Sequence, residues 1–237
     1  VYSSIENTRT IDEIKHPAVN GVLSYLNIKY GLEIHHDGDL PARSGLGSSS
    51  AFTAGLLKAL YTLQNQQISG YDLGLETVHI EQKVIGEKVG SQDQISVSMG
   101  GMNLIKFNPD QTIKVTPLVI TENRKSELND HLLLFFTGVT RNSQIIAEEK
   151  ILNIPNNKQN LKEMYELVFQ AHSVLQSQNQ DIKDFGCLLH ESWLLKKSLS
   201  KNVSTGPIDY AYQLALESGA IGGEVFGGGG GGVFFFF

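Results

Sequence analysis

Three hydroxyls in a row, Ser48, Ser49 and Ser50, open an apolar helix directly behind two alternating glycines, Gly45 and Gly47. A helix start exposes unpaired N–H groups and a partial positive charge, so it attracts phosphate. Glycine lets the backbone approach an anion where a Cβ would obstruct it, and serine hydroxyls can donate to phosphate or offer oxygen to Mg²⁺. A plain capped helix is the alternative, but one hydroxyl suffices for a cap. The candidate anion loop is therefore Arg43, Ser44, Gly45, Leu46, Gly47, Ser48, Ser49 and Ser50. It is not a Walker A loop, because no Gly-Lys-Ser/Thr follows, nor a dinucleotide fingerprint, because Ser50 stands where the third glycine belongs.

Two carboxylates could complete such a site. The neighbours of Glu81 at three- and four-residue helical spacing are Thr77, Val78, Val84 and Ile85, three of them apolar. Glu76, Lys83 and Glu87 fall on another side. A carboxylate on a packed face requires a partner, and either a structural salt bridge or a metal ion would serve. Asp93 follows Gly90 in the next loop. A loop aspartate is commonly a cap, but phosphoryl transfer to a hydroxyl needs a phosphate cradle, a cation and a carboxylate that orients the acceptor. The loop, Ser49 with Glu81, and Asp93 could supply these in turn. A third constellation, the glycine-rich "SGAIGGEVFGGGGGGVFFFF" from Ser218, reads as a strand–loop–strand rather than a flexible tail, with Gly228 a candidate substrate contact. Arg141 could bind a substrate phosphate or make surface contacts at a helix start. His35 and His36 are adjacent and would face opposite ways on a strand, so they are not a metal pair.

The elements that must carry these residues follow from periodicity. Residues 11–30 and 70–88 read as helices, the second capped by Ser69, and the helix behind the loop packs through Phe52, Leu56, Leu57 and Leu60. Residues 31–41 alternate enough for a strand. "NPDQ" joins two strands as a hairpin, and "HLLLFFTGV" reads as a buried strand. Helices are expected at 142–152, 158–176, 181–200 and after Pro207. Trp193 and Tyr210 read as packing residues, and "LLKKSLSK" as a solvated helix face. Strands and helices mix without regular alternation, which favours two α/β sandwiches with a boundary in the polar "TENRKSELND".

Of the 237 residues 41% are hydrophobic, an ordinary globular composition, and the net charge of −6 argues against a nucleic-acid surface. The single cysteine, Cys187, cannot close an internal disulfide, consistent with a reducing, cytoplasmic setting. No stretch reaches the ~20 apolar residues of a membrane span, and the opening residues do not read as a basic-then-apolar leader. Both ends read as interrupted, and four closing phenylalanines would form an exposed strand edge.

With these residues assembled, the chain resembles the GHMP kinase superfamily. "PARSGLGSSSA" is similar to its signature P-x-x-x-G-L-G-S-S-A/S-A, and "GAIGGEVFGGGGGGV" to its C-terminal glycine-rich signature. "VGSQDQISVSMGGMN" resembles the catalytic-aspartate segment of the sugar-kinase branch, within which the likeness is to kinases of a heptose 7-phosphate. The resemblance runs from about residue 11 to 232. It implies an α+β, two-domain fold: a left-handed βαβ N-terminal domain over 1–125 and a ferredoxin-like C-terminal domain over 126–237, each lacking terminal elements. It further implies ATP and Mg²⁺ as cofactors, phosphate contacts at Gly45, Gly47 and Ser48, and metal ligation by Ser49 and Glu81. Asp93 would accept the acceptor's proton, and the partner would be a small sugar phosphate. A free-sugar kinase and a non-catalytic sensor of the same fold are the alternatives.

Overall fold

A computed structural model describes residues 5–39, 45–138 and 143–237. The fold is α+β, and the chain separates into two compact units, the first running to Gly101 and the second starting at Met102, except that Gly45 and Leu46 group with the second. The regular elements among the described residues of the first unit are all helical. Helix α1 (Pro17–Tyr25) starts on a proline, whose missing N–H has no helical partner to lose. Helix α2 (Ser48–Leu63) follows the loop. Helix α3 (Gly70–His79) is capped by the Ser69 hydroxyl, which accepts from Asp72 N–H at 3.0 Å. It runs into a π-helical turn, Ile80–Ile85, and helix α4 (Gln92–Met99) closes the unit. Val22, Leu57, Leu60, Leu73 and Ile80 form its core.

Two glycines on one face of α3 set the position of α4. A Cβ on Gly74 would lie 2.9 Å from Ile95 Cδ1, and one on Gly70 only 2.8 Å from the Ser98 carbonyl oxygen. Small residues there let the two backbones approach closely. Of the strand expected over residues 31–41, residues 31–38 have no regular structure and are exposed. Alternation makes a strand only where a neighbour completes the ladder, and the described residues of this unit include no strand. A βαβ crossover is accordingly not among the described elements.

The second unit opens with an antiparallel hairpin, β1 (Asn103–Phe107) and β2 (Ile113–Pro117), in register from Asn103↔Pro117 to Phe107↔Ile113. The polar stretch that reads as a domain boundary forms helix α5 (Glu122–Asp130), capped by Thr121. Arg124 anchors it: buried, it donates to the Val174 and Gln180 carbonyls at 2.7 and 3.0 Å and pairs with Glu127 at 2.7 Å. Helices α6 (Ser143–Asn153), α7 (Lys158–Gln176), α8 (Lys183–Ser198) and α9 (Gly206–Glu217) accompany an antiparallel sheet of order β3-β5-β4. Its strands are β3 (Leu133–Phe136), β4 (Gly223–Val225) and β5 (Val233–Phe236).

Four readings are corrected here. The phenylalanine strand β5 is the sheet's centre, not its edge, with Phe234 and Phe236 buried beside Trp193 and Tyr212. Its outer neighbour β3, read as buried, is at least half exposed at every position. Tyr210 is 73% exposed, and the packing tyrosine of α9 is Tyr212. Finally, two of the three lysines of "LLKKSLSK" are tied down: Lys196 donates to the Val225 carbonyl at 2.8 Å and pairs with Glu224 at 3.2 Å, and Lys197 pairs with Asp209. Trp193 is fully buried, as its packing role requires. No helix among the described residues is long and apolar enough to cross a membrane.

Candidate functional site

The loop into α2 is built by left-handed backbone. Gly45 has φ +82° and Gly47 φ +71°, a region where a side chain would be strained. Gly47 is also the N-cap of α2, and no side chain caps that helix. Among the described residues, the first-turn N–H groups of Ser48, Ser49 and Ser50 thus have no side-chain cap and can serve another acceptor. The serines do not serve as caps: Ser49 is exposed, and Ser50 is buried with its Oγ donating to Glu81 Oε2 at 3.0 Å.

Glu81 is only 2% exposed, as its helical neighbours require, although the backbone there is the π turn rather than an α-helix. Single π turns inside helices recur at functional sites. Its two carboxylate oxygens differ sharply. Oε2 accepts from Ser50 and also from Gln94 Nε2, whereas Oε1, equally buried, meets no hydrogen-bond partner among the described residues. Both donors to Oε2 are neutral, and no lysine or arginine among the described residues pairs with Glu81. The structural salt bridge is thus not what the described residues form. Glu81's field also reaches Glu87, whose pKa is raised first by burial and then by the Glu81 charge. An orphaned anionic oxygen in an oxygen-rich setting fits a hard divalent cation such as Mg²⁺.

Asp93 occupies the first turn of α4 and faces the loop. A Cβ on Gly47 would lie 3.5 Å from Asp93 Cβ and Cγ and 3.6 Å from its Oδ2. The side chain reaches solvent, yet the protein packed around it raises its pKa above the ordinary carboxylate value. A shift in that direction makes a carboxylate a better proton acceptor. The first unit thus brings together Gly47, Ser50, Glu81 and Asp93, and adds Gln94, which sequence reasoning passed over. Its only signal was a buried-amide position next to Asp93 on the helix that Gly70 and Gly74 admit.

In the second unit the glycine-rich segment folds as a turn between β4 and β5. Gly230 N–H donates to the Val203 carbonyl at 2.7 Å, and the Thr137 hydroxyl both accepts from Gly232 N–H and donates to its carbonyl, at 3.0 and 2.9 Å. Phe226 and Gly227 pack directly on Gly45, where a Cβ would come within 2.6 Å of the Phe226 oxygen. Gly228 lies in this turn, half-buried. Arg43, Ser44 and Arg141 lie outside the described residues.

Comparison with known proteins matches residues 14–101 to the family of GHMP kinases, N terminal domain. A curated relative, the D-glycero-alpha-D-manno-heptose 7-phosphate kinase of Campylobacter jejuni, is 32% identical over 96% of this chain and 63% of its own length. The crystal structure of a D-glycero-D-manno-heptose 1-phosphate kinase from Bacteroides thetaiotaomicron superposes with a TM-score of 0.66 at 24% identity, over 93% of this chain and 61% of that one. Streptococcus pneumoniae phosphomevalonate kinase, in complex with phosphomevalonate and AMPPNP, gives a TM-score of 0.66 at 17% identity over 81% and 60%. The two structures share the fold, and the chain spans under two thirds of the length of each of these three proteins.

Proposed function

We propose that this chain, whose residues 14–101 match the family of GHMP kinases, N terminal domain, carries out ATP-dependent phosphorylation of a sugar phosphate, with the anomeric hydroxyl of D-glycero-D-manno-heptose 7-phosphate as acceptor. The observation that carries the reading is Glu81: a buried carboxylate with one oxygen held by neutral donors and the other unpartnered, in the unit where Asp93 packs against the loop glycine. A non-catalytic scaffold has no use for that unpaired charge. Residues 1–125 would form the phosphate-binding domain and 126–237 its partner domain.

The uncapped first turn of α2 would receive the ATP phosphates, with Gly45, Gly47 and Ser48 at close approach and Arg43 and Ser44 adding donors. Glu81 and Ser49 would hold Mg²⁺, whose chemistry is to neutralise phosphate charge. Asp93 would orient the acceptor hydroxyl and take its proton as the new oxygen–phosphorus bond forms and the bond to the ADP oxygen breaks. Its raised pKa supports that role. Arg141 and Gly228 would contact the sugar phosphate. Most of the rate would come from positioning and charge stabilisation, with the proton acceptor adding about 10²–10⁴-fold.

The test is ADP release by the full-length protein across a panel of phosphorylated and free sugars. The reading expects turnover with the heptose 7-phosphate and little with the same heptose lacking its distal phosphate. Equal turnover on free fucose or galactose would move the acceptor to a free sugar. Tight ATP binding with no product on any sugar would make the protein a binder.

A further inference from the structure

We infer that Gln94 is a positioning residue for the cation that Glu81 would hold, fixing the carboxylate so that Oε1, and not Oε2, is presented. The inference rests on the kinase reading for the identity of the site and goes beyond it in assigning the residue that orients it. Gln94 is 1% exposed, on the first turn of α4 immediately after Asp93. Its amide Nε2 donates to Glu81 Oε2, which Ser50 Oγ also engages at 3.0 Å. The amide must face Glu81 with its nitrogen, because its oxygen would be repelled by the carboxylate. In doing so Gln94 leaves its own Oε1 buried without a partner among the described residues. A residue packed only for stability would not strand an acceptor in this way.

The two donors come from different helices, α2 and α4, and converge on one oxygen of a residue in the π turn. Rotation of the carboxylate would break both bonds together, so Oε1 stays directed. Because Gln94 adjoins Asp93, the helix that carries the proton acceptor is tied to the cation ligand through one side chain. The close α3–α4 approach at Gly70 and Gly74 makes this reach possible. Partners one step removed from a metal ligand commonly govern metal affinity by 10–100-fold.

The experiment is calorimetric binding of AMPPNP to the full-length protein during a Mg²⁺ titration, with Mn²⁺ resonance as a spectroscopic check on the bound ion. Gln94→Met keeps the volume and removes the donor. It should raise the Mg²⁺ concentration for half-maximal nucleotide binding by about 10-fold or more, while metal-free nucleotide affinity stays at the wild-type value. Ser50→Ala, a smaller change that withdraws the other donor to the same atom, should shift the Mg²⁺ requirement in the same direction and serves if Gln94→Met does not fold. Unchanged Mg²⁺ dependence in a folded variant, against a wild type that does respond to Mg²⁺, overturns the positioning role alone. A wild type whose nucleotide binding ignores Mg²⁺ overturns the kinase reading of the site along with it.

Discussion

In the first compact unit, the surroundings of Glu81 are held by side chains: a serine and an amide reach one carboxylate oxygen from two helices, and an aspartate packs on the loop beside them. In the second, the turn between β4 and β5 is held largely by main chain, with Gly230 N–H donating to the Val203 carbonyl, Thr137 N–H donating to the Gly232 carbonyl, and Gly227 lying on Gly45. Each unit also carries ionisable groups that their surroundings push toward neutrality, among them Asp93 in the first and Lys150 in the second. The contrast separates two kinds of constraint. A side-chain site fails when its chemistry is changed at constant shape, whereas a backbone turn fails when its shape is changed by a single methyl.

The largest expected effect breaks the first kind. Asp93→Asn preserves shape and removes the proton acceptor, so turnover should fall about 10²–10⁴-fold with nucleotide binding retained. Stability should move the other way. Burial raises the folded pKa of Asp93 above its unfolded value of 3.8, so its contribution to stability is lost as pH rises from 3.8 through the folded pKa. The neutral amide should therefore hold or raise the melting temperature at pH 7 while abolishing most activity. Near-wild-type turnover would take Asp93 out of the chemistry.

Breaking the second kind costs stability first. Gly45→Ala places a Cβ 2.6 Å from the Phe226 oxygen on a residue with φ +82°. Left-handed strain and overpacking together should cost about 2–4 kcal/mol, read as a lower denaturation midpoint. Gly206→Ala is the control, since open space surrounds a Cβ there and no positive φ opposes it. Equal midpoints for the two variants would show that the turn does not need its close approach to Gly45.

The same division explains what could be read in advance. Glu81's burial was legible because it depends on helical neighbours within four residues, and Gly45 and Gly47 because left-handed backbone leaves few residue choices. Gln94 was not, because its partner is fixed by how closely α4 lies on α3, a matter of which atoms meet Gly70 and Gly74. Strand placement was illegible for a related reason. "VFFFF" shows apolar character but not whether it pairs on one side or both, and the structure gives it β3 and β4 as neighbours. Residues 31–38 alternate equally well and pair with nothing described. Arg124 turned a polar stretch into a docked helix through carbonyls fifty and fifty-six residues away.

The smallest expected effect sharpens the comparison, because it gives the second region the opposite pH sign to the first. Burial, and then the neighbouring Lys196 charge, lower the Lys150 pKa from 10.5 to about 8, with Glu224 only partly offsetting them. Below pH 8 the lysine is protonated in both folded and unfolded chains, so the native state bears the full cost of its charge. Between about 8 and 10.5 the unfolded chain binds the extra proton, and stability contributed by this group rises with pH. Lys150→Met keeps much of the side-chain volume and removes the charge. It should raise the melting temperature at pH 7 by a few degrees, roughly 2–4 °C for each kcal/mol relieved in a chain of this size. The advantage over wild type should shrink as pH climbs through 8 and vanish above 10.5. Thermal melts of both proteins at pH 7, 9 and 11 check it, pH values chosen to bracket that window. A variant that melts lower at pH 7 would mean that attraction to Glu224 outweighs the burial of the ammonium, and Lys150 would then be a paired structural charge like Lys196 beside it.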